Sequence, residues 1–133
     1  IARVLNDLLP TVRRRSLVML LSDAFDEPEA LARVLRLYRA ANHDVVLFQI
    51  AAPEEEDFPF QRPTRFRSLE GPLERPVDPR RLRAGYLERY RAFCETLARE
   101  CGAAGVDHVK LRTDQPYHVA LGDYLTRRAG HAQ

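Results

Sequence analysis

Two aspartates stand directly behind short strand-like runs, the first largely apolar and the second less so. Asp23 follows Leu17-Val18-Met19-Leu20-Leu21-Ser22, and Asp114 follows His108-Val109-Lys110-Leu111-Arg112-Thr113. A carboxylate at the carboxyl end of a buried strand is placed to hold a hard cation through oxygen, and the Ser22 hydroxyl adds a second oxygen beside Asp23. The same position also suits a carboxylate that accepts hydrogen bonds from turn amides ahead of a helix. Two such aspartates could hold a cation that activates water, as in a metal-dependent hydrolase or phosphoryl-transfer enzyme. The rest of that machinery is missing from the sequence. Gly71, Gly85, Gly102, Gly105, Gly122 and Gly130 form neither GxGxxG nor a phosphate loop, and there is no GxSxG elbow. Asp114 and His118 at i, i+4 would share a helical face, but two ligands do not make a metal site.

The cysteines offer no chemistry of their own. Cys94 and Cys101 fall in one helical pattern, about 10.5 Å apart at the helical rise per residue. A disulfide spans no more than about 7 Å between Cα atoms, so both are expected as reduced thiols on one face, as suits a reducing compartment. Without a CxxC pair a structural zinc site is not expected.

The elements that must position these groups alternate in type. Ile1 to Leu9 carries Val4, Leu5, Leu8 and Leu9 at helical spacing and ends at Pro10, a helix tail over residues 1–10. Ser16 to Leu21 is a near-continuous apolar run, expected as a strand buried on both faces of a parallel sheet. Asp26 and Glu29 have capping-box spacing around Pro28, and Leu31, Val34, Leu35 and Tyr38 form the stripe of a helix ending near Asn42. Asp44 to Ile50 is a second buried strand, completing a strand–helix–strand crossover. Residues 51–77 are an excursion: an irregular stretch with the acidic run Glu54 to Asp57, then a short hairpin, Thr64 to Leu69 and Leu73 to Val77, around Glu70-Gly71-Pro72. Asp78-Pro79 starts a long helix through Leu82, Tyr86, Tyr90, Phe93, Leu97 and Cys101, with Gly102 placed to stop it. His108 to Leu111 is a less apolar third strand, nearer an edge. Thr113-Asp114-Gln115-Pro116 opens a last helix through Val119, Leu121 and Leu125.

Strands alternating with helices define an α/β layered domain. Ligand sites in such folds lie outside the carboxyl ends of the strands, here Ser22-Asp23, Ala51-Ala52 and Thr113-Asp114. In the excursion, Phe58, Phe60 and Phe66 offer apolar anchors for a partner, or else pin the excursion to the domain.

At 133 residues the chain suits a single domain, and 45% hydrophobic with 30% charged residues is an ordinary globular balance. No apolar run reaches the roughly 20 residues of a membrane span, and Ile1 to Pro10 does not read as a signal peptide. A cytoplasmic protein is expected, with no membrane partner. The net charge is +2, and the tightest basic run, Arg13-Arg14-Arg15, has no interleaved aromatics. Nucleic acid is therefore not an expected partner.

The run Arg15-Ser16-Leu17-Val18-Met19-Leu20-Leu21-Ser22-Asp23-Ala24-Phe25-Asp26 resembles the bacterial domain-of-unknown-function family 58, which is related to von Willebrand factor A domains. The likeness continues through Asn42-His43-Asp44-Val45-Val46-Leu47-Phe48, Asp57-Phe58-Pro59-Phe60, Thr64-Arg65-Phe66, Val77-Asp78-Pro79-Arg80 and Thr113-Asp114-Gln115-Pro116. It implies a Rossmann-like, three-layer von Willebrand factor A-like fold. It also implies a non-catalytic protein–protein interaction module working with a MoxR-type AAA ATPase in complex assembly. In such domains an Asp-x-Ser-x-Ser motif, a distant threonine and a later aspartate form an adhesion-type site for magnesium. Asp23 corresponds to the later aspartate and follows Ser22, where many relatives have threonine. This chain has neither of the other two elements. It is expected to be the C-terminal half of such a domain, truncated to a small, mainly parallel sheet with flanking helices and the hairpin excursion. Ile1 in place of an initiator methionine is expected of a cut chain. Magnesium belongs to the intact domain, and no cofactor is expected in this part. The resemblance also implies that the strand from Ser16 to Leu21 has lost a neighbour, leaving an open edge for homo-association.

Overall fold

The computed structural model describes residues 1–62, 64–67 and 74–130, with the backbone alone for 64–67 and 74–77. The elements are α1 (Ala2–Leu8), a 3₁₀ turn (Leu9–Thr11), β1 (Leu17–Ser22), α2 (Pro28–Ala40), β2 (Asp44–Ala51), α3 (Pro53–Asp57), β3 (Thr64–Arg67), β4 (Glu74–Val77), α4 (Pro79–Ala103), β5 (Asp107–Arg112) and α5 (Tyr117–Gly130). β1, β2 and β5 form a parallel sheet in that order, with Leu17 opposite Asp44 and Val46 opposite Asp107. β3 and β4 form a separate antiparallel pair, with Thr64 opposite Val77. The two strands of the expected hairpin thus pair over 64–67 and 74–77, while residues 68–73, the rest of those strands and the turn between them, lie outside the described residues; Phe66 lies on β3, its side chain likewise outside them.

Alternation along β2 sorts the core into two layers, because successive side chains of a strand point to opposite faces. Val45 and Leu47 join Leu5 of α1, Leu31, Leu35 and Tyr38 of α2, and Leu97 and Cys101 of α4. Val46 and Phe48 join Val109 of β5 and Tyr124 of α5. The arrangement is three-layered: α1, α2 and α4 on one face, the sheet, and α5 on the other. α1 is fastened by the Tyr38 hydroxyl, which donates to the Leu5 carbonyl at 2.7 Å.

β1 is not buried on both faces as its composition predicts. Val18 and Leu20 pack against the α2 layer, whereas Leu17, Met19 and Leu21 are 42%, 55% and 63% exposed. The cause is width. Strands lie about 4.8 Å apart, and a helix about 10 Å across covers two of them; α5 sits over β2 and β5. A sheet-edge strand therefore keeps one apolar face bare.

Other expectations are corrected locally. Asp26 does not cap α2: Pro28 at the first helical position makes Glu27 the N-cap, and Asp26 instead accepts from the Ala2 N–H at 2.9 Å. Asn42 does adopt the left-handed conformation, with φ 66°. Residues 53–57, expected as irregular, form α3, with a proline at its start and three glutamates in its first turn. That acidic turn suits a helix N-terminus. α4 runs past Gly102, and the left-handed residue that redirects the chain is Gly105, φ 69°. Asp78 caps α4, accepting from the Arg80 N–H at 3.1 Å. On α4 it is Leu87, not Leu82, that is buried, and on α5 Val119 and Leu125 are exposed while Tyr124 is buried.

Candidate functional site

The carboxyl ends of β1, β2 and β5 form one rim. At its β1 corner Asp23 is held by the turn it helps to make: its Oδ1 accepts from the Ser22 hydroxyl at 3.2 Å and from the Phe25 N–H at 3.3 Å. The Ser22 Oγ in turn accepts from the Ala24 N–H at 3.0 Å. Ala24 is fully buried with φ 57°, so the turn is a fixed feature that presents Asp23 outward.

Asp114 sits at the opposite corner and is otherwise engaged. Arg112 grips it with Nε at 3.1 Å and Nη2 at 2.9 Å, and this pairing holds the carboxyl below the usual range. β1 and β5 are separated by β2, about 10 Å at ordinary strand spacing, so Asp23 and Asp114 are not brought together. Nor do Asp114 and His118 share a helical face, because α5 begins at Tyr117. His118 is exposed against Tyr117. Among the described residues no three His, Cys, Asp or Glu side chains cluster as metal ligands. Asp23 Oδ1 and the Ser22 hydroxyl oxygen are already used in the turn, and Asp23 Oδ2 beside them is too little for a cation demanding near-octahedral coordination.

Between the corners runs a row of aromatic rings that sequence reasoning assigned only in part. Phe60 meets Phe58 edge-on at 5.2 Å, Phe58 lies 4.7 Å from Tyr86, and Tyr86 stacks on Tyr90 at 6.0 Å. Phe25 then bridges Tyr90 at 6.5 Å and Phe93 at 5.5 Å. Phe25, two residues beyond Asp23, is more than half exposed. Phe60 is half-buried at the other end of the row. Phe58 is 6% exposed, which corrects its reading as a surface anchor: its left-handed backbone, φ 44°, turns the ring onto α4. Tyr86 and Tyr90 at i, i+4 already marked one face of α4, but that Phe25 joins them is a tertiary fact.

A charged latch fixes α3 beside this row. Glu56 pairs with Lys110, and with Arg112 at 2.7 Å, while the Lys110 ammonium lies 5.2 Å from the centre of the Tyr90 ring. Beneath it Gln49, buried on the central strand, meets His108 Nε2 at 3.0 Å and Cys94 Sγ at 3.6 Å. Burial, with Lys110 adding, pushes the His108 pKa down. The Tyr90 hydroxyl is buried without a hydrogen-bond partner among the described residues, and burial, with the Cys94 thiol adding, raises its pKa. Cys94 and Cys101 are both free thiols.

The opposite rim holds a cleft of about 610 Å³ lined by Arg39, Asp44, Asp107, Tyr124 and Arg128 among others. Asp44 accepts from Arg39 and from Arg128, each at 2.9 Å, and Tyr124 donates to Asp107 at 3.0 Å. These groups tie α2 and α5 to the strand starts.

The fold and the rim define an open, parallel α/β domain of Rossmann-like kind, with a surface-presented aspartate and an aromatic row at its strand ends. The sequence profile described as "Protein of unknown function DUF58" matches residues 1–95, and the chain belongs to that family. No curated protein and no solved structure matches the chain. Among the described residues no helix is long and apolar enough to cross a membrane.

Proposed function

We propose that this domain is a non-catalytic protein–protein interaction module of the von Willebrand factor A-like type, forming the C-terminal half of such a domain and working with a MoxR-type AAA ATPase in complex assembly. The observation that carries the reading is the rim: Asp23, exposed at the tip of β1, next to an aromatic row that Phe25 brings to the surface and half-buried Phe60 closes at the other end. Aromatic side chains are enriched at the centres of protein-binding surfaces, with polar and charged groups kept to the rim. Topology supports the half-domain. β1 leads to β2 and β2 to β5 in one direction, with α2 and α4 packed on the same face, so among the described residues the sheet shows no point at which strand order reverses. Ligands of doubly wound sheets bind at that point, and here it would fall on the outer side of β1, beside Asp23. Magnesium would enter only with ligands from the remainder of the domain. The free thiols favour a cytoplasmic setting. A hydrolase built on the strand-end aspartates gains nothing from the geometry, since Asp114 is committed to Arg112.

Binding of a purified MoxR-type ATPase to the immobilised chain tests this. Asp23→Ala and Phe60→Ala are each expected to weaken binding about tenfold or more. Absence of binding, or binding indifferent to both substitutions, overturns the proposal.

A further inference from the structure

α4 carries both cysteines of the chain, and the fold treats them differently. Cys101 is fully buried in the apolar core, and burial pushes its thiol up to about 11. Cys94 is partly exposed, and three polar groups surround its sulfur. Gln49 Nε2 donates to Sγ at 3.6 Å, and the Lys110 ammonium donates to it at 3.9 Å. The Gln49 amide cannot turn round, because its oxygen accepts from His108 Nε2 at 3.0 Å. The third group is the Tyr90 hydroxyl, one helical turn before Cys94. Tyr90 is 7% exposed, and its hydroxyl has no hydrogen-bond partner among the described residues. After burial, the Cys94 thiol is the strongest influence raising its pKa, so this hydroxyl faces the sulfur. A buried hydroxyl left without a partner costs free energy, and a thiol sulfur is a weak acceptor. What the three donors lack is an oxygen.

We propose that Cys94 is a site of reversible oxidation by hydrogen peroxide, and that Gln49, Lys110 and Tyr90 form the cradle of its sulfenic acid. The sulfur attacks one peroxide oxygen. An S–O bond forms and the O–O bond breaks; the sulfur gives up two electrons, and the other oxygen takes the thiol proton and leaves as water. The oxygen now on Sγ accepts from the Tyr90 hydroxyl and from the Lys110 ammonium, the latter a charge-assisted bond about twice as strong as a neutral one. The product has no resolving thiol within the chain. Cys101 stands seven residues further along the same helix, about 10.5 Å away, beyond the roughly 7 Å a disulfide spans. The sulfenic acid therefore persists until an external thiol attacks it. That attack releases water and leaves a mixed disulfide, from which a second thiol frees Cys94. The site lies under the latch, since Lys110 also holds Glu56.

The inference does not depend on the docking reading, and its test reads the sulfur, not partner binding. The full chain, treated with hydrogen peroxide and then with dimedone, is expected to carry the dimedone adduct on Cys94 and not on Cys101, as read by peptide mass spectrometry. Dithiothreitol added before dimedone is expected to remove the label, and Cys94→Ser to abolish it. Tyr90→Phe is expected to shorten the life of the sulfenic acid in excess peroxide about threefold, and Lys110→Met about tenfold. Both are read as conversion to the sulfinic acid, with the far-ultraviolet dichroism of each variant unchanged. A chain labelled first or equally at Cys101, a chain that takes no label, or a sulfenic acid whose lifetime is indifferent to both substitutions overturns the proposal.

Discussion

The latch between α3 and the sheet gives the most quantitative handle on the rim. α3 has five residues, too few to be stable alone. It stays in place because Glu56 reaches Lys110 and Arg112 and because Phe58 lodges against Tyr86. The Glu56 side chain is 17% exposed and that of Arg112 is 31% exposed, so their pairing lies between a surface ion pair and a buried one. Surface pairs are worth about 0.2–1 kcal/mol, and breaking a buried pair costs about 3–5 kcal/mol. A coupling of about 1–2 kcal/mol is the expected middle. Glu56→Gln, Arg112→Gln and the double variant close a mutant cycle that cancels the separate Arg112–Asp114 contact. Urea unfolding followed by far-ultraviolet dichroism reads each corner. The single variant Glu56→Gln is expected to lower the melting temperature by roughly 5 °C, given the unfolding entropy of a chain this size. A coupling below about 0.3 kcal/mol would refute the latch and, with it, the fixed position of Phe58 and Phe60.

Three further outcomes follow from single contacts. Asp26 is held at a pKa of about 2, mainly by the Ala2 N–H and then by the chain's amino terminus and the Glu27 N–H. Its folded value is below the unfolded value of about 3.9, so it stabilises above that pH and the contribution is lost as pH falls from about 4 toward 2. With a side chain 28% exposed the effect is discounted for solvent screening to about 1–2 kcal/mol, and Asp26→Asn should remove it from an acid titration of stability. Gly105→Ala should cost about 1–2 kcal/mol by urea unfolding, because φ is +69° while the nearest atom, Arg39 Nε, leaves room at 3.6 Å; strain alone is being tested. Tyr38→Phe removes the hydrogen bond that fastens α1, and should cost about 1–2 kcal/mol with a matching rise in amide exchange across residues 2–8.

Much of this architecture was legible because burial and composition agree. Asp44 to Ile50 is apolar but for Asp44 and Gln49 and is buried on both faces as the central strand, and Asp78-Pro79 starts its helix where cap chemistry requires. Ser16 to Leu21 has the same composition but half the burial, since composition records what a strand can bury and not how many helices lie over it. α3 escaped because a five-residue helix has no full period of apolar residues to betray it. Asp23 stands at a strand tip as its place behind β1 predicts, and the turn-binding reading that its sequence context also allows is the one its Oδ1 adopts. Asp114 lost its candidacy to Arg112, two residues away, because alternation in β5 brings that guanidinium to the same end. The aromatic row was half visible: Tyr86 and Tyr90 follow helical spacing, whereas Phe25 and Phe58 reach them only through the fold.

The central proposal is that the strand-end rim, where Asp23 stands exposed beside the aromatic row, is a protein-docking surface, and titration of the isotope-labelled chain with a purified MoxR-type ATPase, followed residue by residue by nuclear magnetic resonance, tests it most directly. The signals of Asp23, Phe25 and Phe60 should shift or broaden on binding, while those of Asp44 and Arg128 on the opposite rim stay where they are. Shifts confined to the opposite rim, or no shift anywhere at saturating partner, would contradict the account.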